Sequence, residues 1–168
     1  AGNVGITVRD FDDNSSVGID TTAPEVSSVS IVSDNADSAL GKFDDTVTLT
    51  FTTSEPIQRP TASDVTLGSL TNVTITPLDD EAKSWKAKGT VPASANGNAA
   101  FSITVLDNAG NRGSPRDNTS DDSLVILDVI APEIVGTPTL TTSNSNSSRA
   151  RYEDTLTLKF NFSEAVAS

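Results

Sequence analysis

The seven residues Asp20-Thr21-Thr22-Ala23-Pro24-Glu25-Val26 recur as Asp128-Val129-Ile130-Ala131-Pro132-Glu133-Ile134. The two aspartates lie about 108 residues apart, close to the roughly 100 residues of one β-sandwich domain. That interval constrains the fold more than any other feature. The chain reads as one complete module, residues 21–129, between two junctions. Residues 1–20 then form the last hairpin of a preceding domain, and residues 130–168 the first strands of a following one.

What lies between the junctions is rich in Thr, Ser, Val and Asn, with 8 Pro and 10 Gly, a composition of short strands and turns. The net charge of −12 excludes a phosphate-neutralising surface, so no nucleic-acid partner is expected. No stretch has the apolar length of a membrane span, so no membrane insertion is expected in this segment. Cysteine and histidine are both absent. This rules out disulfides, thiolate or imidazole metal sites, and any catalytic triad built on histidine.

Taken in order, Ile6-Thr7-Val8-Arg9-Asp10 echoes Ile103-Thr104-Val105-Leu106-Asp107, and in both places an acidic or amide-rich turn and then the junction follow. The turn Asp10-Phe11-Asp12-Asp13-Asn14 begins like an EF-hand loop but lacks its glycine and final glutamate, and is read as a plain acidic turn. Val26, Val29 and Ile31 mark a first strand. Thr46-Val47-Thr48-Leu49-Thr50-Phe51-Thr52 is the clearest strand, with Val47, Leu49 and Phe51 on one face and threonines on the other. Pro56 ends it, since proline has no N–H to give a ladder. Further strands are expected at Asp64–Leu67, Asn72–Thr76, Trp85–Val91, Ala100–Leu106 and Ser123–Leu127, with turns at Asp79–Glu81 and Asn96–Asn98. The count is seven strands and no helix. Trp85, the one tryptophan, is expected in the core, the alternative being a sugar-stacking platform.

After the second junction the pattern restarts: Tyr152-Glu153-Asp154-Thr155-Leu156-Thr157-Leu158-Lys159-Phe160-Asn161-Phe162-Ser163-Glu164 matches Phe43 to Glu55. Leu156, Leu158, Phe160 and Phe162 share its inward face. Two strands make no sandwich and a lone hairpin is marginal in water. Completion is expected from the remainder of its own domain or, alternatively, from strand exchange between chains to form a fibre.

Taken together, the Asp-x-x-Ala-Pro junctions, Thr46–Phe51 followed by Ser54-Glu55-Pro56, Thr61-Ala62-Ser63-Asp64-Val65 and Asp107-Asn108-Ala109-Gly110-Asn111 resemble the bacterial immunoglobulin-like repeats of large surface adhesins. The resemblance implies an all-β fold of tandem immunoglobulin-like sandwiches. It implies a secreted or cell-surface location and an extender or adhesion role, often stiffened by calcium. Expected partners are neighbouring repeats of the same protein and, through distal domains, a host or surface glycan or protein. The first segment departs from the pattern, with Asp10–Asn14 in place of an Asp-x-Ala-Gly-Asn turn.

In such a sandwich the loops after the second and sixth strands share one end with the incoming chain. Asp20, Glu55 and Asp107 are then expected to converge, as an all-oxygen ligand set that suits Ca²⁺ and not zinc or copper. Asp128 and Glu164 repeat the arrangement at the second junction, with a third carboxylate beyond residue 168, and Asp10 plays the part of Asp107 for the preceding domain. The plain alternative is that Asp20 and Asp128 cap turns and Glu55 is an exposed strand end. No enzyme is expected: a carboxylate pair such as Glu55 with Asp107, or Asp79 with Glu81, lacks any sign of a cleft with a raised-pKa acid. A carbohydrate- or ligand-binding module is a further alternative, though most aromatics fall on inward strand positions.

Overall fold

A computed structural model describes residues 17–166. The sequence features placed at Val4–Asn14, Asp10 among them, lie outside the described residues. The chain divides into two compact units, one ending at Val129 and one beginning at Ile130.

The first unit is all β. Its strands are β1 (Val26–Ser33), β2 (Leu40–Gly41), β3 (Thr46–Thr53), β4 (Val65–Thr66), β5 (Thr71–Pro77), β6 (Ser84–Thr90), β7 (Gly97–Asn98), β8 (Ser102–Ile103) and β9 (Ile126–Leu127). An antiparallel sheet runs β1-β3-β6-β5. Two smaller sheets, β2-β9-β7 and β4-β8, complete the unit, an arrangement consistent with a β-sandwich. β3 is central because of its alternation. Val47, Leu49 and Phe51 are at most 1 % exposed, and burial of side chains this size stabilises by about 1.5–3 kcal/mol each. In register across from them on β6 stand Gly89, Ala87 and Trp85. Gly89 has no alternative, since a Cβ there would meet Leu70 Cβ at 2.8 Å. Trp85 is in the core, and its indole Nε1 donates to the Ala82 carbonyl at 3.1 Å. Ile103, Val105, Val125 and Leu127 supply buried side chains from the later part of the chain.

The strand count of the first unit differs from expectation: nine among its described residues, not seven. β2 and β7 are two-residue pairings with no periodicity to read, and β7 falls inside the expected turn at Asn96–Asn98. The expected strand Ala100–Leu106 is reduced to Ser102–Ile103. Its neighbours keep changing, from β4 to isolated bridges at Arg116 and Arg112, so no long ladder forms.

The outer edge of β1 is closed by side chains. The amide of Val29 donates to Ser120 Oγ and that of Ile31 to Ser123 Oγ, both at 2.9 Å. The Ser120 amide in turn donates to the Val29 carbonyl at 2.9 Å.

The second unit is an antiparallel hairpin of β10 (Ile134–Thr142) and β11 (Leu156–Phe162). Its hydrogen bonds restate those of the β1–β3 hairpin. Asn144 Nδ2 donates to Asp154 Oδ2 at 2.6 Å, as Asn35 Nδ2 does to Asp45 Oδ2. The Arg151 amide donates to Asp154 Oδ2 as Lys42 does to Asp45. Glu153 and Asp44 both take φ 71°. The apolar face has a different environment: Leu156 and Leu158 are 58 % exposed, Phe160 44 % and Phe162 38 %. Phe160 and Phe162 meet edge to face, 5.3 Å between ring centres.

Candidate metal centre

Three segments of the first unit meet beside the end of β3. The first is the loop Asp107–Asn111, closed at its base by pairing of Leu106 with Arg112. Gly110 takes φ +95°, in the left-handed region where a side chain is disfavoured. The Asp107 carboxylate turns back into this loop. Its Oδ1 accepts the Asn111 amide at 2.8 Å and its Oδ2 the Asn111 side-chain Nδ2 at 2.7 Å. Asp107 is 1 % exposed, the one charged side chain buried among the described residues, and these donors compensate its loss of water.

The second segment is the incoming chain. Asn111 Nδ2 also donates to the Asp20 carbonyl at 3.1 Å. Asp20 Oδ1 accepts the Thr22 amide at 3.0 Å, an Asx turn before the buried Pro24. Gly113 lies against the Pro24 carbonyl, so closely that no Cβ could fit. The third segment follows β3. The Ser54 amide donates to the Glu25 carbonyl at 2.9 Å, and the Glu25 amide to Ser54 Oγ at 3.0 Å. Ile57 bridges to Asp107, and the Gln58 amide donates to the Leu106 carbonyl at 2.9 Å. Each segment is thus bonded to the other two.

The result is that one carboxylate oxygen each from Asp20, Glu55 and Asp107 lie within 4.8 Å of one another. Asp20 is exposed, Glu55 half-buried and Asp107 buried. Burial pushes the Glu55 carboxyl above the ordinary glutamate value, and the negative charges of Asp20 and Asp107 push it further, against a smaller opposing pull from Lys83. Burial also pushes Asp107 upward, but hydrogen bonds from Asn111, Gly110 and Ala109 outweigh it and hold the carboxyl below the ordinary aspartate value. The cluster is therefore self-repelling. Oxygens that share one Ca²⁺ at about 2.3–2.6 Å lie at most about 5 Å apart, so the separation of these three fits a shared ion.

Of the other residues singled out in the sequence, Asp128 is exposed at the end of the first unit, its amide donating to the Gly41 carbonyl at 2.8 Å. Glu164 is half-buried after β11 in the second unit. There the Ser163 amide donates to the Glu133 carbonyl, and the Glu133 amide to Ser163 Oγ, the same exchange that Ser54 and Glu25 make. Asp10 lies outside the described residues. Turn-capping by Asp20 is real but uses one oxygen, and so coexists with the cluster. Asn111 was visible in the sequence only as the last residue of a turn. Its role as the clasp between Asp20 and Asp107 depends on a contact spanning 91 residues, which no local pattern encodes.

No family model matches the chain, and no curated protein and no solved structure is significantly similar to it.

Proposed function

We propose that the chain is part of a series of tandem immunoglobulin-like modules in a secreted or cell-surface, adhesin-like protein, and that it acts as an extender stiffened by Ca²⁺ at its junctions. The single observation that carries this reading is the convergence of Asp20, Glu55 and Asp107 where the chain enters the module. Asp20 belongs to the junction, whereas Glu55 and Asp107 belong to the body of the sandwich. Holding all three at one point fixes the angle at which the chain arrives. Left alone, three like charges favour loosening of that segment. A divalent cation supplies the compensating charge. Asn111 keeps Asp107 ionised and oriented for it, and the Ser54–Glu25 exchange keeps Glu55 beside the junction. The recurrence of the same hydrogen-bonded hairpin after Ile130 supports a modular series, and the acidic balance of −12 suits a surface exposed to divalent ions. Ligand-binding and catalytic readings have no comparable observation behind them.

Thermal unfolding of the chain tests the reading. Extracellular calcium modules bind at about 10⁻⁴–10⁻³ M. At calcium tenfold above Kd the first unit gains about 1.4 kcal/mol, or roughly 4–8 °C in Tm. The gain disappears with chelator and in Asp20→Asn. A Tm indifferent to calcium up to 10 mM (about ten times the weakest such Kd) sinks the proposal.

A further inference from the structure

With 23 Asp and Glu against 11 Lys and Arg, a cation on this surface has many carboxylates to choose from. Two arginines of the first unit pair with none. Arg112 and Arg116 line a cleft of about 340 Å³, which the incoming segment Ala23–Val26 also lines. Among the described residues the Arg112 side chain makes no hydrogen bond or ion pair. Arg116 Nε donates to the Asn118 carbonyl at 2.9 Å, and no carboxylate pairs with its guanidinium. Backbone contacts hold both arginines in place. Arg112 bridges to Leu106 and Arg116 to Ile103, the Arg116 amide donating to the Ile103 carbonyl at 2.9 Å and the reverse bond closing at 2.8 Å. Gly113, between them, lies against the Pro24 carbonyl, which seats the whole segment on the junction.

Two like charges held at one cleft repel, and an anion between them relieves the repulsion. The guanidinium fork matches a planar carboxylate bidentately. The remaining lining narrows the anion further. Glu25 contributes an exposed carboxylate without an ion pair. It opposes a phosphate dianion more than a carboxylate monoanion, and it can accept a hydrogen bond from a hydroxyl. Ser114 adds a hydroxyl of its own, and Val26 and Pro115 add apolar surface. The volume stands at the lower end of the roughly 300–1,000 Å³ of small-molecule sites, which suits one ring and not a stretch of polymer.

We propose that this cleft binds a carboxylated sugar. Its carboxylate lies on Arg112 and Arg116, a ring hydroxyl donates to Glu25, and the C–H surface of the ring rests on Val26 and Pro115. The inference goes beyond the extender reading and gives the module a ligand of its own. It needs no ion, so binding is expected in chelator and in calcium alike, and its failure leaves the calcium reading standing.

Heteronuclear NMR titration of the full chain tests it. The probes are glucuronic, galacturonic and N-acetylneuraminic acids, with glucose, acetate, the phosphate ester of glucose and an oligoglutamate peptide beside them. At least one of the three acids is expected to shift the amides of Glu25, Val26, Arg112, Gly113 and Ser114 saturably. It binds at least about 10-fold more tightly than glucose or acetate. Arg112→Gln, at an exposed side chain, leaves the circular dichroism unchanged and weakens that binding about 10- to 100-fold. Glu25→Gln narrows the preference for the acid over the phosphate ester. The absence of a saturable shift with all three acids overturns the proposal, as does indifference to Arg112→Gln. Acetate, the phosphate ester or the peptide binding as tightly as the best acid overturns it too, assigning the arginines to anions in general or to a polypeptide. Binding seen only with calcium overturns it equally, since the ion and not the arginines would then hold the carboxylate.

Discussion

Asn111 reaches back across 91 residues to donate its side-chain Nδ2 to the carbonyl of Asp20 at 3.1 Å, while the same nitrogen holds Asp107 Oδ2 at 2.7 Å. One amide thus spans the junction and the only buried carboxylate among the described residues. Partners of this kind behind a ligand set the orientation of the ligand, and losing them typically weakens metal binding about 10- to 100-fold. Asn111→Ala is expected to weaken calcium binding by that factor with the strands intact, as read by calorimetric titration beside far-ultraviolet circular dichroism. Unchanged affinity removes Asn111 from the site.

Phe51 and Phe160, or Leu49 and Leu158, occupy equivalent places in two hairpins, yet Leu49 is fully buried and Leu158 is 58 % exposed. Leu49→Ala is expected to cost about 2–5 kcal/mol in urea unfolding of the first unit. Leu158→Ala in the chain by itself is expected to change that transition by less than about 0.5 kcal/mol. Equal costs would contradict the division into two units.

The β1 edge rests on two hydroxyls. Ser120→Ala leaves the amide of Val29 without its acceptor at 2.9 Å, and Ser123→Ala does the same to Ile31. A donor orphaned in a partly buried place costs about 1–3 kcal/mol. Each variant is expected to lose that amount, with faster amide exchange confined to Val29 or Ile31. Loss spread evenly over the unit would point to a different cause.

Acid acts in two directions. Asp107, lowered by its hydrogen bonds despite burial, and Asp121, lowered first by Ser123, bind protons less readily folded than unfolded. Their contribution is present above the ordinary aspartate value and is lost as pH falls through their lowered folded values. Glu55 is raised, by burial and then by Asp20 and Asp107. Its contribution is present below the ordinary glutamate value and is lost as pH rises through its raised folded value. In chelator, Glu55→Gln is therefore expected to raise Tm slightly at pH 7, and the gain is expected to vanish below about pH 4, where the wild-type carboxyl is itself protonated. A gain independent of pH, or a loss at pH 7, would refute the repulsion assigned to the cluster.

Much of the large sheet was legible because its strands repeat with period two. Thr46–Thr52 was expected and Thr46–Thr53 is found; Asn72–Thr76 and Trp85–Val91 became Thr71–Pro77 and Ser84–Thr90. The smaller sheets were legible in part: β4, β8 and β9 fall inside the expected segments Asp64–Leu67, Ala100–Leu106 and Ser123–Leu127, whereas β2 and β7, and pairings such as Leu40–Gly41 with Ile126–Leu127, are two residues long and carry no period to read. The meeting of Asp20, Glu55 and Asp107 was anticipated from chain topology alone. What holds it, Asn111 and the Ser54–Glu25 exchange, was not, because bonds between side chains and backbone groups far apart in the chain leave no mark on residue spacing.

On the proposed reading of a modular series, the serine hydroxyls along β1 bear on how many such units can coexist. A bare strand border invites another strand, and a protein made of many similar sandwiches would offer its own copies as templates for misassembly. Ser120 and Ser123 fill that border with two hydroxyls and one backbone amide from the same unit, too few backbone groups to make a ladder. With β1 capped in this way, that border of one such unit cannot zip onto the like border of another.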